Sequence, residues 1–263
     1  MAVHAHPDDE VLNTGGVFAR YAEEGIRTVL VTCTNGEQGD GPEGVKPGAP
    51  GHDPAAVAEH RLGELRASAA LLEIEHLELL GYQDSGMDGW DANADPQAFT
   101  NAPVADAAGK LATLIEKYRP QVIVTYDANG GYGHPDHIQA HRIAVAATES
   151  TGIPAKLYYA VVPREAAQEM AATAKANGVD DFELPEDFGT PMAEITTVVD
   201  VAAYTRRKVK ALEAHGSQSD GAFFLGLDEP VQDLILGTEF FVRQQNRVAS
   251  APDRETDLFA GLR

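Results

Sequence analysis

The sequence predicts an α/β fold, a mostly parallel sheet with helices on both faces. Three observations predict it. Short apolar or β-branched runs alternate with Ala-, Leu- and Glu-rich helical patterns along the chain, the signature of strand–helix–strand units. The runs at 27–33 and 121–126 are nearly continuous in apolar residues, as strands buried on both faces are. The segments that follow the strands are the most polar, Gly-dense and His-rich of the chain, and a parallel sheet binds its ligands at the carboxyl ends of its strands.

Residues 1–5 read as a strand, ended by a stiff turn at Pro7, which lacks a backbone donor and restricts the residue before it. A helix is expected at 15–25, with Val17, Tyr21 and Ala22 on one face and Gly25 at its end. A buried strand follows at 27–33. The Gly- and Pro-rich stretch 35–54 is loop, 55–73 helix, 76–80 a short strand and 82–102 a second long loop. Residues 103–118 form a helix stopped by Pro120, and 121–126 is the clearest strand. A Gly-rich turn then leads into a helix running to about Thr151. Strands are expected at 156–162 and 195–201, helices at 164–177 and 202–215, and loop at 178–193. The tail beyond 216 gives no clear pattern. The loops holding His6 to Asp9, Thr34 to Gly39, Gln83 to Gly86 and Gly130 to His137 should share one edge of the sheet.

At 263 residues with 43% hydrophobic content, the chain suits one domain over 1–263, with a C-terminal subregion at 164–263 contributing to a pocket. No repeat or linker divides it. With Met1 almost on the first strand, no segment is expected to precede the fold, and no cleavable signal pattern or membrane span is evident. One cysteine, Cys33, excludes an internal disulfide and points to a reducing cytoplasm; it follows an apolar run and reads as a packing residue. Acids outnumber bases by 41 to 20, a formal charge of −21. That disfavours nucleic acid and anionic membrane as partners and suits a neutral small molecule or metal ions. A homo-oligomer stays open.

Two clusters carry the chemistry. His6, Asp8 and Asp9 stand on the first turn; His134, Asp136 and His137 enter the helix after the strand at 121–126. His6 and Asp9 supply two zinc ligands, and either His134 or His137 completes a three-residue shell whose fourth position is left for water. Asp8 is then the natural base for that water. The remaining histidine stabilises an oxyanion or protonates a leaving amine, with Asp136 to orient it or hold it charged. This constellation describes metal-assisted amide hydrolysis.

The run from Ala5 to Glu10, taken with Gly130 to His137, resembles the LmbE-like/PIG-L family of zinc-dependent N-acetylglucosamine deacetylases. Within it the chain is most similar to the mycothiol branch, the GlcNAc-inositol deacetylase and the mycothiol S-conjugate amidase. Arg61 to Leu65, Asp84 to Met87, Ala214 to Gln218 and Glu255 to Leu258 support that branch. The resemblance implies a Rossmann-like sheet and a cytoplasmic enzyme that removes an acyl group from an amino-sugar nitrogen. It implies His6, Asp9 and His137 as ligands of Zn2+, with Fe2+ as the alternative metal. Asp8 is implied as general base, His134 as electrostatic and acid partner tuned by Asp136, and Tyr132 as a group polarising the carbonyl. Arg61 and Asp84 are implied to hold the sugar or its attached group, and His215 joins them as a substrate contact. The loops at 35–54 and 88–105 would wall the pocket. The alternatives are a mycothiol S-conjugate amidase, a natural-product amino-sugar deacetylase, and a metal-dependent binding protein without turnover.

Each residue also has a plainer reading. Asp8 could cap the following helix. His134 could be a turn residue, and Tyr132 a packing plug. Arg61 could pair with Glu64 or Glu37, and Asp84 could open a turn. His215 suits a helix end. His4 is expected packed beside the site, and His141 on a helix face.

Overall fold

A computed structural model describes residues 1–176, 188–249 and 252–263. Seven strands, β1 (Ala2–His4), β2 (Val29–Thr34), β3 (His76–Tyr82), β4 (Val122–Thr125), β5 (Lys156–Val161), β6 (Thr197–Asp200) and β7 (Thr238–Asn246), form one sheet in the order β3-β2-β1-β4-β5-β7-β6. The first five are parallel, with Val3 opposite Val31 and Ile123 opposite Leu157. β7 runs antiparallel to both β5 and β6. The helices are α1 (Asp9–Glu23), α2 (Pro54–Leu71), α3 (Val104–Tyr118), the distorted turn α4 (Gly130–Gly133), α5 (Pro135–Thr151), α6 (Arg164–Ala176), α7 (Thr205–Ala214), α8 (Ala222–Leu225) and α9 (Glu229–Leu236).

Because side chains alternate across a strand, the sheet supplies two cores. On one face Leu30, Val124 and Phe241 pack with Val17, Phe18, Tyr21, Leu65 and Leu212 from α1, α2 and α7. On the other, Val31, Ile123 and Leu157 pack with Leu111, Ile115 and Ile143 from α3 and α5. The sheet is thus mostly parallel and covered on both faces, the expected class. Cys33 is buried in the second core. Among the described residues no helix is long and apolar enough to cross a membrane. The expected loop at 178–193 lies outside the described residues up to 187.

Two expectations are corrected. The first helix begins at Asp9 rather than at 15. The pair Gly15 and Gly16 reads as a helix start in sequence, yet it sits mid-helix because a neighbour needs the space. A Cβ on Gly16 would come within 2.4 Å of Val201 Cγ2 and 2.9 Å of Glu239 Oε1. The Glu239 carboxylate accepts from the Gly16 and Val17 amides at 2.7 and 2.9 Å, and Lys208 Nζ joins it at 2.7 Å while reaching the Leu12 carbonyl at 3.4 Å. The second correction is β7, which the tail's composition hides. Its buried positions include Glu239 beside Phe241, so a charged residue interrupts the apolar alternation.

The C-terminal segment is fastened by Glu255, which is 3% exposed. Its carboxylate accepts from Lys156 Nζ and Tyr158 OH, each at 2.6 Å, and from Thr197 Oγ1 at 3.0 Å, and pairs with Arg243 at 2.8 Å. Burial opposes its charge, but the Lys156, Tyr158 and Arg243 donors prevail and hold the carboxyl below its ordinary value. A depressed carboxylate stabilises the fold above its unfolded pKa, about 4.3, and that contribution is lost as pH falls through the folded value. Denaturant midpoints measured from pH 7 downward should therefore fall below about pH 4.3, and the fall should be shallower in Glu255→Gln. Equal slopes in the two proteins would show that Glu255 is not the group that titrates.

Candidate active site

The sheet order contains a switch point. From β1 the chain builds outward through β2 and β3, then returns to lay β4 on the other side of β1. The loops after β1 and β4 therefore part, leaving a crevice at the carboxyl edge. All four Gly- and His-rich loops meet there. Arg61, from α2, donates to the carbonyls of Gly36 (2.6 Å) and Pro7 (2.7 Å). The Gln38 amide donates to Asp84 at 3.3 Å, and the Ser85 amide to Asp136 at 2.8 Å.

Within the crevice donor atoms of three residues converge. His6 Nδ1 lies 3.3 Å from Asp9 Oδ2 and 3.3 Å from His137 Nε2, and His137 Nε2 lies 3.4 Å from Asp9 Oδ1. Ligands at the usual zinc bond lengths in a tetrahedron stand about 3.3 Å apart. Spacing and chemistry, two imidazoles and a carboxylate, both fit a zinc ion. His134 belongs to a looser group, with atoms of His6, His134 and His137 within 4.8 Å of one another; His6, Asp84 and Asp136 form a second such group. His134 caps α5, its Nδ1 accepting the Asp136 amide at 3.1 Å. Its proton therefore belongs on Nε2.

Surrounding groups fix the orientation of each imidazole. His6 Nε2 lies 3.2 Å from Asp136 Oδ2, and Asp136 also takes the Ser85 hydroxyl. His137 Nδ1 lies 3.1 Å from the Gly130 carbonyl, which leaves Nε2 free of a proton. Gly130 has φ 65, and a Cβ there would lie 2.7 Å from His137 Cβ, so only glycine fits. Tyr126 stacks on the His137 ring with centroids 4.1 Å apart, and its hydroxyl accepts the Ala5 amide at 2.8 Å.

The electrostatics follow from burial and from these partners. Burial disfavours charge on His6, but Asp84, Asp136 and Asp9 prevail and hold it protonated well above its usual range. Asp9 is likewise buried, yet His137 and His6 keep its carboxyl well below the ordinary value. Burial lowers His137 to about 4, and burial with His6 and His137 lowers His134 to about 2. Asp8 is raised to about 6, chiefly by burial, against the pull of Arg61.

Asp8 stands at the N-cap of α1, but its side chain makes no capping bond; it takes Arg61 Nη2 at 2.8 Å instead. Asp136 sits apart from its expected partner. Its carboxylate lies on His6, and only its amide touches His134, because helical geometry turns a side chain two residues on towards another face. Arg61 pairs with neither Glu64 nor Glu37; Glu64 is taken by Ser217 and His60. Asp84 does open a turn, accepting the Gly86 amide at 2.8 Å, and also stands 3.5 Å from His6 Nε2. Tyr132 is half-exposed between Gly131 and Gly133, its ring 5.0 Å from that of His137. His215 is buried with Nε2 2.7 Å from Glu10 Oε1. His4 bonds Thr14 at 2.8 Å, and His141 Nδ1 lies 3.0 Å from the Tyr126 carbonyl. Glu10, Ser68, Ser85 and Tyr126 were not anticipated. Glu10 and Ser85 do lie inside motifs that the sequence displays.

A cavity of about 1660 Å³ opens on this cluster. Asp8, His134, Tyr132, Arg61, Asp84 and His215 line its polar end. Trp90, Val162, Phe223, Val231 and Leu234 line an apolar side, all at least 38% exposed.

This sheet, with a carboxylate of raised pKa and a metal-fitting donor set at its switch point, fits the class: an amide-hydrolysing enzyme of the N-deacetylase type. Comparison with known proteins narrows it. Residues 1–148 match the family described as PIG-L, GlcNAc-PI de-N-acetylase, and the chain belongs to that family. The whole chain is 43% identical, over 94% of the relative's length, to the 1D-myo-inositol 2-acetamido-2-deoxy-alpha-D-glucopyranoside deacetylase of Acidothermus cellulolyticus. It is 42% identical, over the full length of both, to the protein of that name from Saccharomonospora viridis. Among solved structures it resembles N,N'-diacetylchitobiose deacetylase from Pyrococcus horikoshii at TM-score 0.62 and 20% identity, over 92% of this chain and 82% of that one.

In protein loaded with zinc, Asp136→Ala should weaken metal retention about 10- to 100-fold in a chelator competition, since His6 loses the acceptor that aligns it. Unchanged retention would show that the Asp136 carboxylate does not set that ring.

Proposed function

We propose that the chain hydrolyses the acetamide of an N-acetylglucosamine-type substrate, an inositol glycoside foremost, releasing acetate and the free amine. The observation that carries this reading is Asp8, a carboxylate raised to about 6, lining the same cavity as the donor cluster of His6, Asp9 and His137. The names of the relatives supply the sugar.

Zinc held by His6, Asp9 and His137, with Fe2+ as the alternative, would supply a water of lowered pKa and polarise the substrate carbonyl. Asp8 is placed to take a proton from the attacking water; a base with a pKa near 6 is ionised at neutral pH and still a good acceptor. His134, neutral and protonated on Nε2, donates to the carbonyl oxygen as negative charge gathers there. The same low pKa argues against His134 as the acid, so Asp8 is the group that returns the proton to the departing nitrogen. Tyr132, at the mouth, adds a second donor to that oxygen. Arg61 holds the loop carrying Asp8 and lines the cavity, and Asp84 stands beside His6. His215 lines the cavity, and its Nδ1 has no hydrogen-bond partner among the described residues, which supports a substrate hydroxyl as its partner. Residues 1–263 act as one domain in this reading, with the 164–263 subregion supplying part of the wall, in the reducing cytoplasm that a single cysteine suits.

One observation favours a second reading. The apolar side of the cavity exceeds what a polar glycoside needs, and it suits an amidase acting on a larger thiol conjugate at the same amide.

The test is primary-amine release by zinc-loaded protein from N-acetylglucosamine, its inositol glycoside and a mycothiol-type conjugate, each with a chelator control. Chelator-sensitive release from the inositol glycoside is expected. Preference for the conjugate would favour the second reading, and no release from any would overturn both. Asp8→Ala should lower turnover about 10²- to 10⁴-fold with metal retained; undiminished turnover would remove Asp8 from its role.

A further inference from the structure

Asp8 and Asp9 are adjacent, yet one lines the cavity beside Arg61 and the other faces two imidazoles. The backbone that separates them is unusual. Asp8 has φ 113 and ψ −32, whereas the other two non-glycine residues of positive φ among the described residues, Glu73 and Arg119, lie at 56 and 48 in the ordinary left-handed region. An L side chain avoids φ near 113, so something must hold it there.

Glu10 is the group in place to do so. It is fully buried, and its two oxygens are shared among three elements. Oε2 accepts the Asp8 amide at 3.0 Å. Oε1 accepts the Ser68 hydroxyl, from α2, at 2.5 Å and meets His215 Nε2, at the end of α7, at 2.7 Å. A buried carboxylate with this many donors is rigid, and removing it leaves each of those donors unpaired. The Asp8 amide is therefore tied to a fixed point, while Arg61 binds the Pro7 carbonyl and the Asp8 carboxylate on the other side of the same residue.

We propose that Glu10, anchored by Ser68 and His215, is a positioning residue for Asp8: it holds the strained backbone that turns the base into the cavity while Asp9 turns to the donor cluster. The inference rests on Asp8 being the base. The Glu10 side chain bonds the Asp8 amide, Ser68 and His215 rather than the side chains of His6, Asp9 or His137, and it acts through the Asp8 amide.

The experiment compares metal-loaded Glu10→Gln, Ser68→Ala, Asp8→Ala and the Glu10→Gln/Asp8→Ala double variant. Turnover, KM, metal content and thermal midpoint are read for each. Glu10→Gln should lower kcat about 100-fold, the scale of a misplaced catalytic group, with KM within about twofold and metal retained. Ser68→Ala should lower kcat by a smaller factor, about fivefold, in the same pattern. In single turnovers with enzyme in excess, adding Glu10→Gln to Asp8→Ala should change the residual rate by less than about twofold, because the two act as a unit. A kcat for Glu10→Gln within about threefold of the parent, or an equal fractional loss with and without Asp8, overturns the inference. Where Glu10→Gln does not fold, Ser68→Ala decides, and a folded Ser68→Ala with parental kcat overturns it as well. Full turnover in Asp8→Ala is a different failure, that of the base assignment itself.

Discussion

The constraint on which the site depends is that three lone pairs are aimed at one buried point. His6 Nδ1 and His137 Nε2 stand 3.3 Å apart, and the two carboxylate oxygens of Asp9 lie 3.3 and 3.4 Å from them, with almost no solvent to separate the three groups. Such an arrangement is unfavourable unless a cation sits among the three atoms, because buried charge without a partner is costly. A proton on His6 meets that need in part, and a zinc ion would meet it fully. The surrounding contacts exist to keep the atoms from relaxing apart. Asp136 fixes one ring, the Gly130 carbonyl and Tyr126 fix the other, and Ser85 fixes Asp136.

Much of this was legible in the sequence because it obeys local rules. Strand ends in a parallel sheet gather ligands, so His6, Asp9, Asp84 and the 130–137 run could be assigned to one edge before any coordinates. The distinction between His134 and His137 was not legible from spacing alone; it depends on which ring nitrogen the α5 cap and the Gly130 carbonyl leave available. The partner of Asp136 was misjudged for a similar reason. Neighbours in sequence suggested His134, whereas the carboxylate crosses to a residue 130 positions away. Long-range polar partners leave no periodic trace. Neither does a strand such as β7, whose Glu239 faces the interior because Lys208 and two helix amides receive it there.

The cavity has two characters, and they separate chemistry from selection. Its polar end is built mainly from the loops after β1 to β4, where the sheet dictates position, with Arg61 from α2 and His215 from the end of α7. Its apolar side comes from the loop at Trp90, from Val162 after β5 and from the segment between α7 and β7. A reaction common to a family can thus stay with the strand ends while the walls differ from one member to another, since loops accept change that strands do not. The overall acidity, a formal charge of −21, opposes the approach of polyanions rather than shaping the pocket.

The carboxylate of Glu239 inside α1 bears on how the molecule is made. His6, Asp8 and Asp9 stand at or just before the start of α1, yet that helix is completed by groups at 208, 215 and 239. During synthesis this part of the site waits, with Glu10 short of its partners, until those residues have emerged. Contacts of such long sequence separation form slowly. The cluster is therefore translated well before the groups that support it, so a chain cut short of residue 208 holds the motif without those supports.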